Sequence, residues 1–254
     1  MSGGHAHPLH LHGHSPVHAL AAETKLAAML AFVLAVVATP REAVWAFAMH
    51  AALVIVVLHT AEIPLGFYLR RVAVVLPFLG FALFLPWLGG GSRIELLGMS
   101  LSAEGLWGAW TIVAKGVLGV SASIVMAATT EVPHILTGLD RLRVPRLVTA
   151  IAGFMIRYLD VVADESQRMR VAMVSRGYDP RWLWQAKALG ISAGALFIRS
   201  YERGERVYYA MAARGYRGHM PAVEGGRAGP ADWVTALTVP TAAWLVALLA
   251  LVGP

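Results

Sequence analysis

The chain has 254 residues, 57% of them hydrophobic and only 14% charged, with a mean hydropathy of +0.62 and a formal net charge of +6. Soluble domains average about 25% charged residues, so this chain cannot cover a water-facing surface, and lipid is the natural solvent for much of it. It has no cysteine, which excludes disulfides, iron–sulfur clusters and thiolate metal sites.

Residues 1–22 are rich in His, Gly, Pro and Ala and hold six of the ten histidines: His5, His7, His10, His12, His14 and His18. Pro8 and Pro16 argue against a helix, so the stretch reads as a flexible tail. It lacks the basic start and apolar core of a cleavable signal. Neutral imidazole suits cobalt, nickel, copper or zinc, and the alternate spacing of these histidines allows loose chelation. A metal-indifferent tail would have the same composition, and no metal site is assigned from it.

Residues 23–130 contain four apolar runs. The first two, 26–39 and 43–58, flank Pro40-Arg41-Glu42. Each falls short of the ~20 residues that cross a bilayer, so they are either short spans or a re-entrant pair. His50 and His59 lie nine residues apart on the second run, on opposite faces of a helix, and do not suit a shared metal. The third run, 72–88, contains Pro77 and Pro86 and ends in a turn at glycines 89–91. The fourth, 106–129, is interrupted by Lys115, which either snorkels or pairs with a partner. Glu62 and Glu131 read as helix-end residues. Small residues recur at helical spacing at Ala27, Ala31, Ala35 and Thr39, and again at Gly119, Ser123 and Ala127. Such faces serve internal packing or the docking of another membrane subunit.

Residues 131–230 have a different character. Between positions 141 and 227 there are fifteen Lys and Arg against seven Asp and Glu. The connections at 39–42 and 89–105 carry only Arg41 and Arg93. Basic residues gather on the cytoplasmic side, so this segment is expected inside, with Arg70 and Arg71 and the N-terminus. The excess of positive charge therefore needs no nucleic-acid partner. A last apolar run, 231–252, lies in the closing segment 231–254 and takes the chain out again. The expectation is an all-α, polytopic membrane protein of about five spans with long cytoplasmic helices.

A near-duplication lies inside the basic segment. Arg168-Met-Arg-Val-Ala-Met-Val-Ser-Arg-Gly-Tyr178 aligns, 38 residues on, with Arg206-Val-Tyr-Tyr-Ala-Met-Ala-Ala-Arg-Gly-Tyr216. Asp164 matches Glu202 in charge. Gly177 and Gly215 stand where glycine closes a helix in the left-handed conformation, and Arg176 and Arg214 fall in the last turn, where the helix dipole favours a cation. After the first copy, Asp179 and Pro180 suit the N-cap and first position of a new helix. Two alike, arginine-tipped helix ends imply a partner with two alike acidic sockets, since the guanidinium fork can grip a carboxylate bidentately.

Ala-Met-Val-Ser-Arg-Gly-Tyr and Ala-Met-Ala-Ala-Arg-Gly-Tyr resemble the paired X-Arg-Gly motifs of the transmembrane (T) subunits of energy-coupling-factor transporters. Leu139-Asp-Arg-Leu-Arg-Val-Pro-Arg-Leu and Ile156-Arg-Tyr158 resemble the CbiQ cobalt branch of that family. The resemblance implies that Ser175, Arg176 and Gly177, and Ala213, Arg214 and Gly215, dock in grooves on two ATP-binding-cassette ATPase subunits. Ala172, Met173, Ala210 and Met211 would supply apolar contacts. The motion of the ATPases would pass to a substrate-binding membrane subunit in the bacterial cytoplasmic (inner) membrane, importing cobalt for cobalamin synthesis. ATP would be used by the partners, with no cofactor bound by this chain and no catalysis of its own. The residues agree in lacking a GxxxxGK[ST] loop and an HExxH motif. The motifs leave open nickel or a vitamin such as biotin as cargo, and a His-tailed carrier working without an ATPase. A membrane-embedded enzyme would need a catalytic constellation that the sequence does not offer.

Overall fold

In hydrocarbon every backbone N–H and C=O must find its partner within the protein, which leaves helices as the economical solution for an apolar chain of this kind. The computed structural model describes residues 11, 13, 15–90, 93–96, 99–178, 187–217 and 227–253. His5, His7, His10, His12 and His14 lie outside the described residues, as do Asp179 and Pro180.

The elements follow the apolar runs. A four-residue α1 (Pro16–Ala19) precedes α2 (Ala22–Ala38) and α3 (Val44–Thr60). Next come α4 (Leu65–Val72), a 3-10 turn (Ala73–Val75) and α5 (Leu76–Leu88), which together make one helical stretch. A hairpin of β1 (Arg93–Leu96) and β2 (Met99–Ser102) leads into α6 (Ala103–Thr129) and α7 (Val132–Arg141). Two long helices, α8 (Arg146–Ser175) and α9 (Lys187–Ala213), precede α10 (Pro230–Val252). The fold is all-α in class, and the antiparallel hairpin, with Arg93 opposite Ser102 and Leu96 opposite Met99, is its small exception. Among the described residues three stretches are long and apolar enough to cross a membrane: Leu65–Leu88, Ala103–Thr129 and Pro230–Val252. Helices α2 and α3 have 17 residues each. At 1.5 Å per residue that is about 25 Å, just short of a hydrocarbon core.

The described residues form two compact units, one within 9–142 and 224–254 and the other within 143–223. The first holds the membrane helices. Helix α2 packs on α10, α6 and α7, and α5 packs on α6. Phe32, Ala35 and Val36 of α2, Phe47 and Val54 of α3, Leu118 of α6 and Ala243 and Ala247 of α10 form its buried core. The alanines matter because small side chains let helix axes approach closely in lipid. Helix α7 and the approach to α10, both expected in the cytoplasmic segment, cluster with this unit.

Three local readings change. The tail was expected to run free to residue 22, but Pro16–Ala19 within it is helical and α2 begins at Ala22. Ser15, 2% exposed, caps α1 through His18 N–H, and Pro16 occupies the first helical turn, where a missing N–H costs nothing. Ahead of it, Leu11 N–H donates to Ala128 C=O at 2.9 Å. The third apolar helix begins at Leu65 rather than 72, because Arg70 and Arg71 are absorbed into it, with Arg71 lying over the Phe67 ring. The expected turn after α5 is a hairpin whose last residue, Ser102, caps α6 and donates to Gly90 C=O at 2.6 Å.

Several hydroxyls inside this unit find partners, whereas Thr130 Oγ1 and His50 Nδ1 are buried without one among the described residues. Ser121 donates to Val117 C=O at 2.6 Å, so Tyr68 must be the donor in its 2.8 Å contact with Ser121. In the same way Thr39 donates to Ala35 C=O, so buried His50 donates to Thr39 from Nε2. In the connection between α2 and α3, Arg41 donates to Glu42 at 2.8 Å and holds that carboxyl below its ordinary pKa.

Glycine spacing decides how tightly the hairpin of α5 and α6 closes. A Cβ on Gly105 would collide with the Leu85 carbonyl and come within 2.8 Å of Pro86 Cα, whereas one on Gly119 would meet nothing within 4 Å. Gly105→Ala is therefore expected to destabilise the unit by roughly 1–3 kcal/mol through overpacking, and Gly119→Ala to leave it as stable or more so. Thermal aggregation midpoints of the two variants in detergent would separate them.

Candidate functional site

The second unit is built from α8 and α9, 30 and 27 residues long, or about 45 and 40 Å. Their ties run in opposite chain order. Ser192 Oγ meets Met173 Sδ at 3.4 Å, and Glu165 accepts from Arg199 at 3.1 Å and from Arg203 at 3.2 Å. The helices are thus antiparallel over this stretch, and their motif-bearing ends point opposite ways. The offset between Glu165 and Arg203 is 38 residues, the same as the repeat, so the two are equivalent positions. Each motif arginine lies eleven residues beyond its own partner in this tie. At helical rise that gives two arms of about 16 Å each.

Each arm ends in the same cap. In α8, Tyr178 N–H donates to Met173 C=O at 3.0 Å and Gly177 N–H to Val174 C=O at 2.9 Å. In α9, Tyr216 N–H donates to Met211 C=O at 3.0 Å and Gly215 N–H to Ala212 C=O at 3.0 Å. These six-to-one and five-to-two bonds are the Schellman closure, which needs a left-handed residue. Gly177 supplies it at φ 76° and Gly215 at φ 81°. A Cβ at either glycine would meet nothing within 4 Å, so backbone conformation, not space, selects glycine here.

The chemistry that results is two alike cationic tips. Arg176 and Arg214 are exposed, and neither guanidinium has a hydrogen-bond or ion-pair partner among the described residues. Ser175 and Ala213 are exposed beside them, as are Ala172 and Ala210, while Met173 and Met211 are half-buried. Ser175 Oγ is occupied by Val171 C=O at 2.9 Å, so it does not offer a free donor. No described residue of α8 or α9 is buried, and large apolar side chains stand out, Leu147 and Phe197 each at 72%. A unit with that much exposed apolar surface is built for contact with something else.

On α6, Ser123 is exposed and Gly119 and Ala127 are half-buried, so this face is not consumed by the core that takes Leu118, Ser121 and Ile124. Of the tail histidines, His18 is described, and both ring nitrogens are engaged, Nδ1 with Ser15 Oγ at 2.7 Å and Nε2 with Leu11 C=O at 3.1 Å. A polar cavity of about 430 Å³ beside it is lined by Lys25, Glu131, His134, Arg141 and Asp232 among others. Among the described residues no group of three or more His, Asp or Glu could hold a metal ion.

Two lysines do more than the sequence suggested. Lys115 Nζ donates to Val37 C=O at 2.7 Å, in the last turn of α2. Lys25 Nζ donates to Thr129 C=O at 2.9 Å, at the end of α6, and to His18 C=O at 3.2 Å. Both meet carbonyls that a helix terminus leaves without an intrahelical partner. A lone Lys in an apolar run was the available signal for Lys115, whereas Lys25, in a polar first turn, gave none.

A family model described as CbiQ, cobalt transport protein, matches residues 13–223. An uncharacterized protein of Methanocaldococcus jannaschii is 28% identical over 66% of this chain and 61% of its own length. The energy-coupling factor transporter transmembrane protein EcfT of Listeria innocua is 24% identical over 81% of this chain and 82% of its own. The cobalt transport protein CbiQ of Rhodobacter capsulatus is 29% identical over 63% and 64%.

The caps make a direct prediction. Gly177→Ala or Gly215→Ala places an ordinary residue at positive φ, at a cost of roughly 1–2 kcal/mol, with Asn tolerated better than Ala. Amide hydrogen exchange at Tyr178 and Tyr216 should accelerate in the matching Ala variant and remain slow at the other cap.

Proposed function

Because the chain belongs to the CbiQ cobalt transport protein family, we propose that it is the coupling subunit of an ATP-driven cobalt importer. It is a multi-pass transmembrane component of a cobalt or energy-coupling-factor-type transporter, and it works with other subunits. The observation that carries the finer reading is the pair of identical, exposed, arginine-tipped caps on arms of equal length. Equal arms suit two equal sockets, and a pair of ATP-binding-cassette subunits that close and open together supplies both. Each guanidinium would pair with acidic groups in a groove of one ATPase, with Met173 and Met211 behind it as adaptable apolar contacts. Closure of the ATPases would then press on both tips, and the movement would travel along α8 and α9 to the substrate-binding membrane subunit. Hydrolysis would belong to the partners, in the bacterial cytoplasmic membrane, with the basic unit and the N-terminus inside.

A second cargo reading has an observation of its own. The Listeria innocua relative named EcfT aligns over 81% of this chain and the Bacillus selenitireducens one over 62%, against 63% for the Rhodobacter capsulatus relative named CbiQ. A vitamin, or nickel, in place of cobalt would leave the coupling geometry unchanged and alter only the small membrane subunit that accompanies it.

Replacing both tips, Arg176→Ala with Arg214→Ala, should leave the protein in the membrane. It should weaken ATPase association by roughly 100-fold or more, since a hydrogen bond to a charged group contributes about 1.5–3 kcal/mol and two are lost. ATP-driven uptake should disappear, with each single variant milder. Affinity purification from native membranes, with mass spectrometry of the co-eluting chains, measures the first effect and names the cargo subunit. Undiminished uptake in the double variant would leave the caps as helix stops only and favour an ATPase-independent carrier.

A further inference from the structure

The first turn of α2 holds two charged residues that are almost fully buried, Glu23 at 6% and Lys25 at 8% exposure. Lys25 caps α6, as described above. The carboxylate of Glu23 accepts from Arg141 Nη1 at 2.8 Å through Oε2 and from Ala228 N–H at 2.9 Å through Oε1. Arg141 is the last residue of α7, and Ala228 lies two residues before α10. The chain leaves the membrane unit after Leu142, and the described part of its return begins at Arg227. One carboxylate therefore holds the outgoing and the returning segments at once.

The surroundings make that hold stiff. Helix α7 lies so close to α2 that a Cβ on Gly138 would come within 3.0 Å of the backbone at Ala22 and Glu23. Only residues 142–145 separate α7 from α8. Within them Arg143 is held in the left-handed region at φ 66°, and Pro145 has its own φ locked by its ring. On the returning side, Gly229 N–H is taken by Asp232 at 2.9 Å, which fixes the entry into α10. A buried carboxylate with a guanidinium and an amide is charge-assisted at every contact, and removing one partner strands another away from water. Nothing in the sequence marked Glu23, which reads as an ordinary acidic residue in a helix first turn.

We propose that Glu23 is a positioning residue for energy coupling, clamping both segments that join the membrane helices to the 143–223 unit. Displacement of that unit then reaches α2, and through its packing α10 and α6, instead of being taken up at the joints. The proposal rests on the reading of this chain as a coupling subunit.

The test uses the complete transporter, purified with its ATPases and small membrane subunit and reconstituted in liposomes. Cargo uptake and ATP hydrolysis are measured on the same sample. For Glu23→Gln the expected result is a complex of wild-type composition that hydrolyses ATP but imports roughly 5-fold less cargo per ATP, the low end of coupling between linked sites. Unchanged cargo per ATP in such a complex overturns the proposal. The chain has no cysteine, so Glu23→Cys with Arg141→Cys gives a second readout. A short bismaleimide bridge between the two thiols should raise cargo per ATP toward wild type, with the unbridged variant remaining low. A bridge that restores nothing, or variants that fail to assemble at all, would make Glu23 an architectural residue and overturn its coupling role. A wild-type chain that brings down no ATPase is a separate outcome, seen before any variant is made, and it removes the coupling reading itself.

Discussion

Everything in the membrane unit follows from one constraint: in hydrocarbon, a carbonyl or a charge left without a partner is costly, so the chain must supply both sides of each contact. Helix interiors meet it automatically. Helix ends do not, and here two lysines take that task. Lys25, at the start of α2, reaches the end of α6, and Lys115, within α6, reaches the end of α2. The two contacts are reciprocal, and they fix the antiparallel register of these helices at two heights. Cations at helix C-termini also meet the negative end of the helix dipole, so each contact serves an electrostatic and a hydrogen-bonding need together.

Much of the architecture was legible in composition and periodicity, because lipid imposes the simplest of codes, apolar runs of set length. The run at 106–129 became α6 with its start shifted to Ala103, and the run at 231–252 became α10. What the sequence hid was whatever depends on distant residues. Pro16 argued against a helix in isolation, yet beside Ser15 and His18 it opens one. Position 65 gave no sign of starting a helix, since Arg70 and Arg71 broke the apolar pattern. The partners of Glu23 stand 118 and 205 residues away, and no local pattern foretells a contact at that range.

The candidate site was legible for the opposite reason. A Schellman closure is written in a few consecutive residues, and the two glycines at positive φ were marked by their place after a helical run. Repetition is what raised the reading of a docking device above that of a plain helix stop. The length of the arms was not legible, because it depends on where α8 and α9 touch.

That point of contact has a consequence of its own. Glu165 and Arg203 occupy the same place in the two copies of the repeat, and they are bonded to each other at 3.2 Å. A helix duplicated without change and folded back on itself would set like against like there, two carboxylates or two guanidiniums in mutual repulsion. The opposite signs at this position are what let the two like helices pair there. They give the module a fixed polarity, so that its two ends, alike in their last turns, are never interchangeable.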